Sequence, residues 1–159
     1  MIAASVPGFA GNDAAGFFPA MGTVASEPVD ARLLGTPILV IEDEAVIAWT
    51  LESHLEDMGF TDIAIAADAR AATASAAVRA PGLIVSDINL GGGPDGVVAT
   101  AGIHAGGFVP TLFVTGYANA DARARIEREV PGAAVLRKPI QPDELQRAIN
   151  AALAGGPRN

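Results

Sequence analysis

Four short, mostly apolar runs of this chain each end at polar or charged side chains, and this pattern restricts the fold more than any other feature. A parallel strand that is buried on both faces is a nearly continuous apolar run, and ligands of open α/β sheets bind beyond the carboxyl ends of the strands. The pattern therefore predicts a buried parallel sheet with one polar cluster along one edge. The runs and the residues after them are 38–41 before Glu42, Asp43 and Glu44, 83–86 before Asp87, 111–114 before Thr115, and 133–136 before Arg137, Lys138 and Pro139.

Helical patterns alternate with these runs. Ile47, Leu51, Leu55 and Met58 recur at intervals of three and four residues, which indicates a helix over residues 45–58. Alternating strands and helices predict an α/β fold, a (βα)5 doubly wound, flavodoxin-like parallel sheet in the order 2-1-3-4-5. In this order the first and third strands are neighbours, so the acids that follow them face each other. The other predicted elements are a strand over 62–66, a helix capped by Asp68 and ending near 80, a helix over 96–105, a helix capped by Asp121 and ending near 130, and a helix from Pro142 onward.

Trp49 is a large apolar side chain of the first predicted helix that does not belong to its core stripe. At about 100° per residue it lies roughly 200° around the helix from Ile47 and Leu51. We expect either a contact with a partner or a tryptophan that lies flat on its neighbours with a partly exposed edge.

The chain has 159 residues, of which 50% are apolar, so it has room for one domain and a tail. Residues 1–35 are rich in Ala, Gly and Pro and show no period, which predicts a flexible extension. The alternative is that Phe17 and Phe18 dock on the domain or on a partner. We expect the domain over residues 36–154, a C-terminal tail over 155–159, and no covalently linked output domain.

Charge and composition argue against several classes of protein. The net charge is −8 and the pI about 4.5, and the basic residues are scattered, whereas nucleic-acid binding needs clustered Lys and Arg. The absence of cysteine excludes disulfides and thiolate metal sites. No apolar run approaches the roughly 18–20 residues that span a bilayer, and no basic residue precedes Arg32 to begin a secretory signal. We therefore expect a cytoplasmic protein that binds neither nucleic acid nor membrane.

The predicted polar cluster has the side chains that phosphoryl transfer requires. Glu42, Asp43 and Asp87 repel one another unless a cation holds them, and Mg²⁺ prefers such oxygen ligands. Lys138, the only lysine of the chain, adds a compact positive charge, and Thr115 adds a hydroxyl. In such a site the Asp87 carboxylate attacks phosphorus in line, while the cations and the hydroxyl stabilise the phosphoryl oxygens.

These residues resemble the receiver domain of two-component response regulators. The resemblance covers about residues 36–154 and rests on the acids after the first strand, the apolar run into Asp87, Thr115, and Lys138 with Pro139. It implies that Asp87 is the phosphoacceptor, that Thr115 is the switch hydroxyl and that Lys138 contacts the phosphate. It also implies a cis peptide bond between Lys138 and Pro139. The Mg²⁺ ligands that it implies are Glu42, Asp43, Asp87 and the backbone carbonyl of Asn89.

The resemblance also implies a role in signalling. Residues 113–117 are similar to the signature of the FAT GUY group of single-domain receivers. We expect a single-domain response regulator that accepts a phosphoryl group on Asp87 from a histidine kinase or a histidine phosphotransfer protein in a Mg²⁺-dependent reaction. It then signals through protein–protein interaction or acts as a phosphate sink. It is not an enzyme beyond catalysing its own phosphorylation and dephosphorylation.

The chain departs from the receiver pattern at three places. Glu42 stands where receivers commonly have an aspartate. The loop 91–96 is one residue longer than usual and lacks the usual proline after Leu90. Val135 occupies the position of the usual switch aromatic, so either this switch is absent or Tyr117 replaces it. We predict that phosphorylation moves Tyr117 and the helix over residues 121–130.

Other functions stay open at this point. The same loop satisfies the dinucleotide-binding pattern G-x-G-x-x-G through Gly91, Gly93 and Gly96. This function is disfavoured because Asp87 would repel a pyrophosphate. An aspartyl-phosphate phosphatase is disfavoured because Asn89 cannot serve as a general acid. The remaining alternative is a receiver-like scaffold that binds partners without phosphorylation.

Overall fold

The computed structural model describes residues 26–155, which form five parallel strands and five α-helices. The strand order is 2-1-3-4-5, which confirms the predicted flavodoxin-like fold. A short 3-10 helix, Ala31–Leu33, precedes the sheet. The strands are β1 (Ile38–Ile41), β2 (Ile63–Ala66), β3 (Leu83–Asp87), β4 (Thr111–Thr115) and β5 (Ala134–Arg137), and the helices are α1 (Ala45–Asp57), α2 (Ala69–Val78), α3 (Gly96–His104), α4 (Ala120–Glu129) and α5 (Pro142–Ala154).

Helices cover both faces of the sheet, which explains why the central strands are continuous apolar runs. In β1, Ile38 and Val40 pack in a cluster with α1 and α5, whereas Leu39 and Ile41 pack in a second cluster with α2 and α3. A third cluster joins Phe113 of β4 to α4. Because side chains alternate between the two faces of a strand, a strand that is covered on both faces needs apolar residues at every position.

The parallel register brings the polar ends of the strands to one edge of the sheet. Glu42 directly follows β1, and Lys138 directly follows β5. Both lie at the same edge of the sheet as Asp87 and Thr115, the last residues of β3 and β4. The sequence pattern therefore located this edge correctly. The register pairs near it are Ile41 with Ser86, Asp87 with Val114, and Thr115 with Arg137.

The part of the predicted N-terminal extension that the structure describes packs on the domain. Val29 is buried in the cluster with α1 and α5. The carbonyl oxygen of Glu27 accepts hydrogen bonds from Gln146 Nε2 at 2.7 Å and from Asn150 Nδ2 at 2.8 Å. Residues 26–34 of the predicted extension therefore contact the domain, and the burial of Val29 removes apolar surface from water there. The alternative that Phe17 and Phe18 dock, and all of the tail beyond residue 155, lie outside the described residues.

The helices differ from their predicted limits by one or two residues. Asn119, not Asp121, caps α4, since its side chain accepts a hydrogen bond from the N–H of Ala122 at 2.8 Å. Asn and Asp are nearly equal as caps, so composition alone did not separate them. Trp49 is 64% exposed, which confirms that it lies off the core face of α1. Within residues 26–155, no helix is long and apolar enough to cross a membrane.

Candidate functional site

Asp87 lies at the carboxyl end of β3 in an open cleft of about 410 Å³. The residue is only 6% exposed. Its Oδ1 accepts a hydrogen bond from the N–H of Asn89 at 3.3 Å, and its Oδ2 lies 3.1 Å from Nζ of Lys138. Asn89 and Lys138 also line the cleft. The carboxylate is therefore oriented by two donors and remains reachable from one side.

Lys138 joins two acids of the site. Its Nζ also donates to Oε2 of Glu42 at 2.9 Å. Burial lowers the pKa of Lys138, but the hydrogen bonds to Glu42 and Asp87 and their negative charges outweigh burial, so the net pKa is raised. The side chain therefore remains an ammonium. Its backbone is held too, since the N–H of Lys138 donates to the carbonyl oxygen of Thr115 at 2.9 Å, and the peptide bond to Pro139 is cis, as predicted.

Glu42 is the most deeply buried acid of the site, with 1% of its surface exposed. Burial raises the pKa of Glu42 more than the hydrogen bonds from Lys138 and from the N–H of Glu44 lower it, and the charge of Asp87 raises it further. The single positive charge of Lys138 therefore does not fully balance the negative charges of Glu42 and Asp87 beside it. A second cation would stabilise the ionised form of Glu42.

The acidic residues fit a hard divalent cation. Glu42, Asp43 and Asp87 each contribute a carboxylate oxygen, and these three atoms lie within 4.8 Å of one another. Asp43 is exposed to the cleft, and its Oδ2 accepts a hydrogen bond from the N–H of Gly91 at 2.8 Å. Carboxylate oxygens in an open, water-accessible cleft suit Mg²⁺, which keeps several of its waters. Asn89, the fourth predicted ligand residue, lies on the wall of the same cleft.

Thr115 ends β4 and is fully buried, with its hydroxyl directed at the following loop. Its Oγ1 accepts a hydrogen bond from the N–H of Tyr117 at 3.2 Å and donates to the carbonyl oxygen of Tyr117 at 3.2 Å. The side chain of Tyr117 is 67% exposed. Val135, at the position where receivers usually have an aromatic, is partly buried against the cluster that holds α4. The structure thus links the Thr115 hydroxyl directly to the backbone of Tyr117.

The glycine-rich loop approaches Asp87 closely. A Cβ atom at Gly96 would lie 1.7 Å from the carbonyl oxygen of Asp87, so this position needs glycine for space. Gly91 uses its N–H on Asp43, and the N-terminus of α3 is capped by the carboxylate of Asp95. A negative charge therefore stands where a dinucleotide pyrophosphate would bind, which argues against the dinucleotide-binding alternative.

One ion pair near the site was missed by sequence reasoning. Arg125 of α4 binds Asp95 through both of its terminal nitrogens, and Nη2 lies 3.1 Å from Oδ1. The two residues are thirty positions apart, so helical spacing gives no signal for this pair. An aspartate directly before a helix is a recognisable capping residue, so the sequence could have indicated the cap at Asp95. It gave no indication that Arg125 is the ion-pair partner of Asp95.

The chain matches the family model described as the response regulator receiver domain over residues 38–150. It is 36% identical over 121 residues to the phyllosphere-induced regulator PhyR of Methylorubrum extorquens, covering 76% of this chain and 44% of PhyR. It is 29% identical over 119 residues to the transcriptional regulatory protein PdtaR of Mycobacterium tuberculosis, covering 74% of this chain and 56% of PdtaR. The chain thus spans about half the length of these curated relatives.

A solved structure agrees with the sequence relatives. The solution NMR structure of the receiver domain of Erythrobacter litoralis PhyR superposes with a TM-score of 0.65 at 31% identity and covers 79% of this chain and 95% of that domain. Fold, site geometry and family match together show that this chain belongs to the response regulator receiver domain family.

Proposed function

We propose that this receiver domain accepts a phosphoryl group on Asp87. The observation that carries the proposal is the position of Lys138, whose ammonium lies 3.1 Å from Asp87 Oδ2 and 2.9 Å from Glu42 Oε2. An ammonium in this place can follow a phosphoryl group as it arrives on Asp87, because its flexible stem allows a small shift.

The transfer needs one nucleophile and positive groups that stabilise charge on the phosphoryl oxygens. One oxygen of the Asp87 carboxylate attacks the phosphorus of a phosphohistidine; the P–O bond forms as the P–N bond breaks, and the imidazole nitrogen leaves with the electron pair. Lys138 neutralises charge on one phosphoryl oxygen. Glu42, Asp43, Asp87 and the Asn89 carbonyl would hold Mg²⁺, which would supply further positive charge to the phosphoryl group.

Thr115 acts as the switch hydroxyl in this proposal. Its hydroxyl donates to the carbonyl oxygen of Tyr117 at 3.2 Å, a long O–H···O hydrogen bond that is lost at small cost. When the hydroxyl turns to a phosphoryl oxygen, the backbone of Tyr117 loses this partner. The exposed Tyr117 ring and α4 then move. Equal NMR shifts of the Tyr117 ring with and without beryllofluoride would contradict this step.

The proposed phosphoryl donor is a histidine kinase or a histidine phosphotransfer protein. The phosphorylated domain then binds a partner or drains phosphate from a shared kinase, and it works in the cytoplasm. We propose that it does so as a single-domain regulator of the FAT GUY type, since residues 113–117 carry a similar signature. In this proposal it is a phosphoacceptor that catalyses only its own phosphorylation and dephosphorylation.

Labelling with acetyl phosphate tests the phosphoacceptor role. With Mg²⁺ present, the intact chain is expected to gain the mass of one phosphoryl group, and Asp87→Asn is expected to gain none. Asp57→Asn, which removes an exposed carboxylate at the end of α1, is the matched control and should label normally. Absence of labelling in the unaltered chain would refute the proposal and favour the scaffold that works without phosphorylation.

A further inference from the structure

The loop that follows Asp87 is held at both of its ends by backbone N–H groups. Gly96 N–H donates to the carbonyl oxygen of Ile88 at 2.9 Å, which closes the loop, and Gly91 N–H donates to Asp43 Oδ2 at 2.8 Å. Between these bonds Gly92 and Gly93 have φ values of 66° and 146°. Glycine adopts such conformations at little cost, so the chain turns sharply between the two bonds.

Asp95 is the point where this loop contacts helix α4. One carboxylate caps α3 through the N–H of Val98 at 3.0 Å and also binds Arg125 of α4. Arg125 is oriented in turn by Glu129, whose Oε1 lies 3.1 Å from its Nε. The two paired side chains are 33% and 28% exposed, so water screens the pair only in part.

The electrostatic environment of Asp95 favours its ionised form beside Arg125. Burial raises the pKa of Asp95, but the hydrogen bonds from Arg125 and from the N–H of Val98, together with the charge of Arg125, outweigh it and lower the net pKa. Bidentate contacts between arginine and a carboxylate are among the stronger surface ion pairs because their geometry is fixed. The connection between Asp95 and Arg125 is therefore directional as well as electrostatic.

Helix α4 has few other anchors. Within α4 only Ile126 is buried, and Val130 follows as the capping residue. A helix with so little buried apolar surface opens more readily than the rest of the domain. A polar contact with the neighbouring loop is then a large part of what holds it in place.

From these contacts we infer that the Asp95–Arg125 ion pair is a latch that couples the acidic site to helix α4 through the glycine-rich loop. At the start of the loop the N–H of Gly91 binds Asp43. At its end Asp95 binds Arg125 and directly precedes Gly96, which packs closely against the carbonyl oxygen of Asp87. Because coupling between two sites is reciprocal, a change at Asp43 alters the hold on α4, and loss of the latch alters cation binding by the site. The latch itself does not depend on the proposed function, but its role in signalling rests on phosphorylation of Asp87.

Hydrogen exchange of the unphosphorylated chain tests the latch directly. Arg125→Met is expected to raise amide exchange by about twofold to fivefold over residues 120–129 and over residues 91–95. Arg128→Met is the matched control, since Arg128 lies on the same helix and, within residues 26–155, its ion pair is with Glu129 and not with the loop. Asp95→Ser keeps a good helix cap while removing the carboxylate, so it should reproduce Arg125→Met without unfolding the start of α3.

A Mg²⁺ titration followed by the same exchange measurement gives the second readout. Mg²⁺ is expected to change exchange over residues 120–129 in the unaltered chain and in Arg128→Met, and to leave it unchanged in Arg125→Met. Arg125→Lys should restore part of the response. Equal responses of Arg125→Met and Arg128→Met would overturn the latch. This result is independent of acetyl phosphate labelling, so failure of the phosphoacceptor role and failure of the latch are distinguishable.

Discussion

Two glycines of helix α3 provide a matched test of the geometry around Asp87. Gly96 begins the helix and Gly102 lies in its interior. A Cβ at Gly96 would lie 1.7 Å from the carbonyl oxygen of Asp87 and 2.6 Å from Ser86 Oγ, whereas a Cβ at Gly102 has no atom within 4 Å. The same substitution to alanine is therefore expected to have opposite effects at the two positions.

The magnitudes follow from these distances. The 1.7 Å approach is half of the 3.4 Å at which ordinary contact begins, so the start of α3 or the end of β3 must move by more than an ångström. Overpacking against backbone of this kind is expected to reduce the free energy of unfolding by about 3 kcal/mol. Gly102→Ala is expected to raise it by about 0.5–1 kcal/mol, because alanine is the better helix former.

Urea unfolding at equilibrium measures both effects. The denaturation midpoint of Gly96→Ala should fall and that of Gly102→Ala should rise, with the dependence on urea unchanged. Because Asp87 is displaced, Gly96→Ala should also label more slowly with acetyl phosphate. A Gly96→Ala variant that is as stable as the unaltered chain would refute the close approach of α3 to Asp87.

Further predictions concern single side chains. Lys138→Met is expected to slow acetyl phosphate labelling about tenfold or more. It should also tighten Mg²⁺ binding several-fold, since the ammonium no longer lies between the carboxylates of Glu42 and Asp87. Calorimetry measures the Mg²⁺ affinity, and an unchanged affinity would contradict the ion-pair geometry. Burial lowers the pKa of His104 below its usual 6.5, so the unfolded chain binds the proton more readily than the folded chain. The free energy of unfolding, relative to that of His104→Gln, should therefore be constant above pH 6.5 and fall as the pH decreases below it. Urea midpoints measured between about pH 8 and about pH 5 check this sign. Trp49 fluorescence is expected to change when a phosphoryl-donating partner binds beside the cleft, and no change at saturation would show that the exposed ring lies outside the interface.

Sequence reasoning was most successful where a residue's own neighbours determine its environment. The runs that became β1, β3 and β4 are apolar at nearly every position, which is the pattern of strands covered on both faces, and their carboxyl ends meet at one edge in any parallel sheet. The predicted meeting of Glu42, Asp87 and Lys138 follows from that rule alone.

Features that depend on contacts between distant segments could not be found in this way. The composition of residues 26–34 resembles a linker, whereas the burial of Val29 against α1 and α5 and the hydrogen bonds to the Glu27 carbonyl oxygen show that this segment contacts the domain. The cap of α4 is Asn119 rather than Asp121, and residue type does not separate two such good capping residues.

The four strand ends, the acids and the lone lysine were determined by the sequence itself, because strand burial and parallel pairing act on residue type and order alone. The tertiary structure alone decided which atoms meet: Lys138 lies between Glu42 and Asp87, the Thr115 hydroxyl binds the backbone of Tyr117, and Arg125 holds Asp95. Local propensity carries no information about such contacts, since they depend on how helices and loops pack across the sheet in three dimensions.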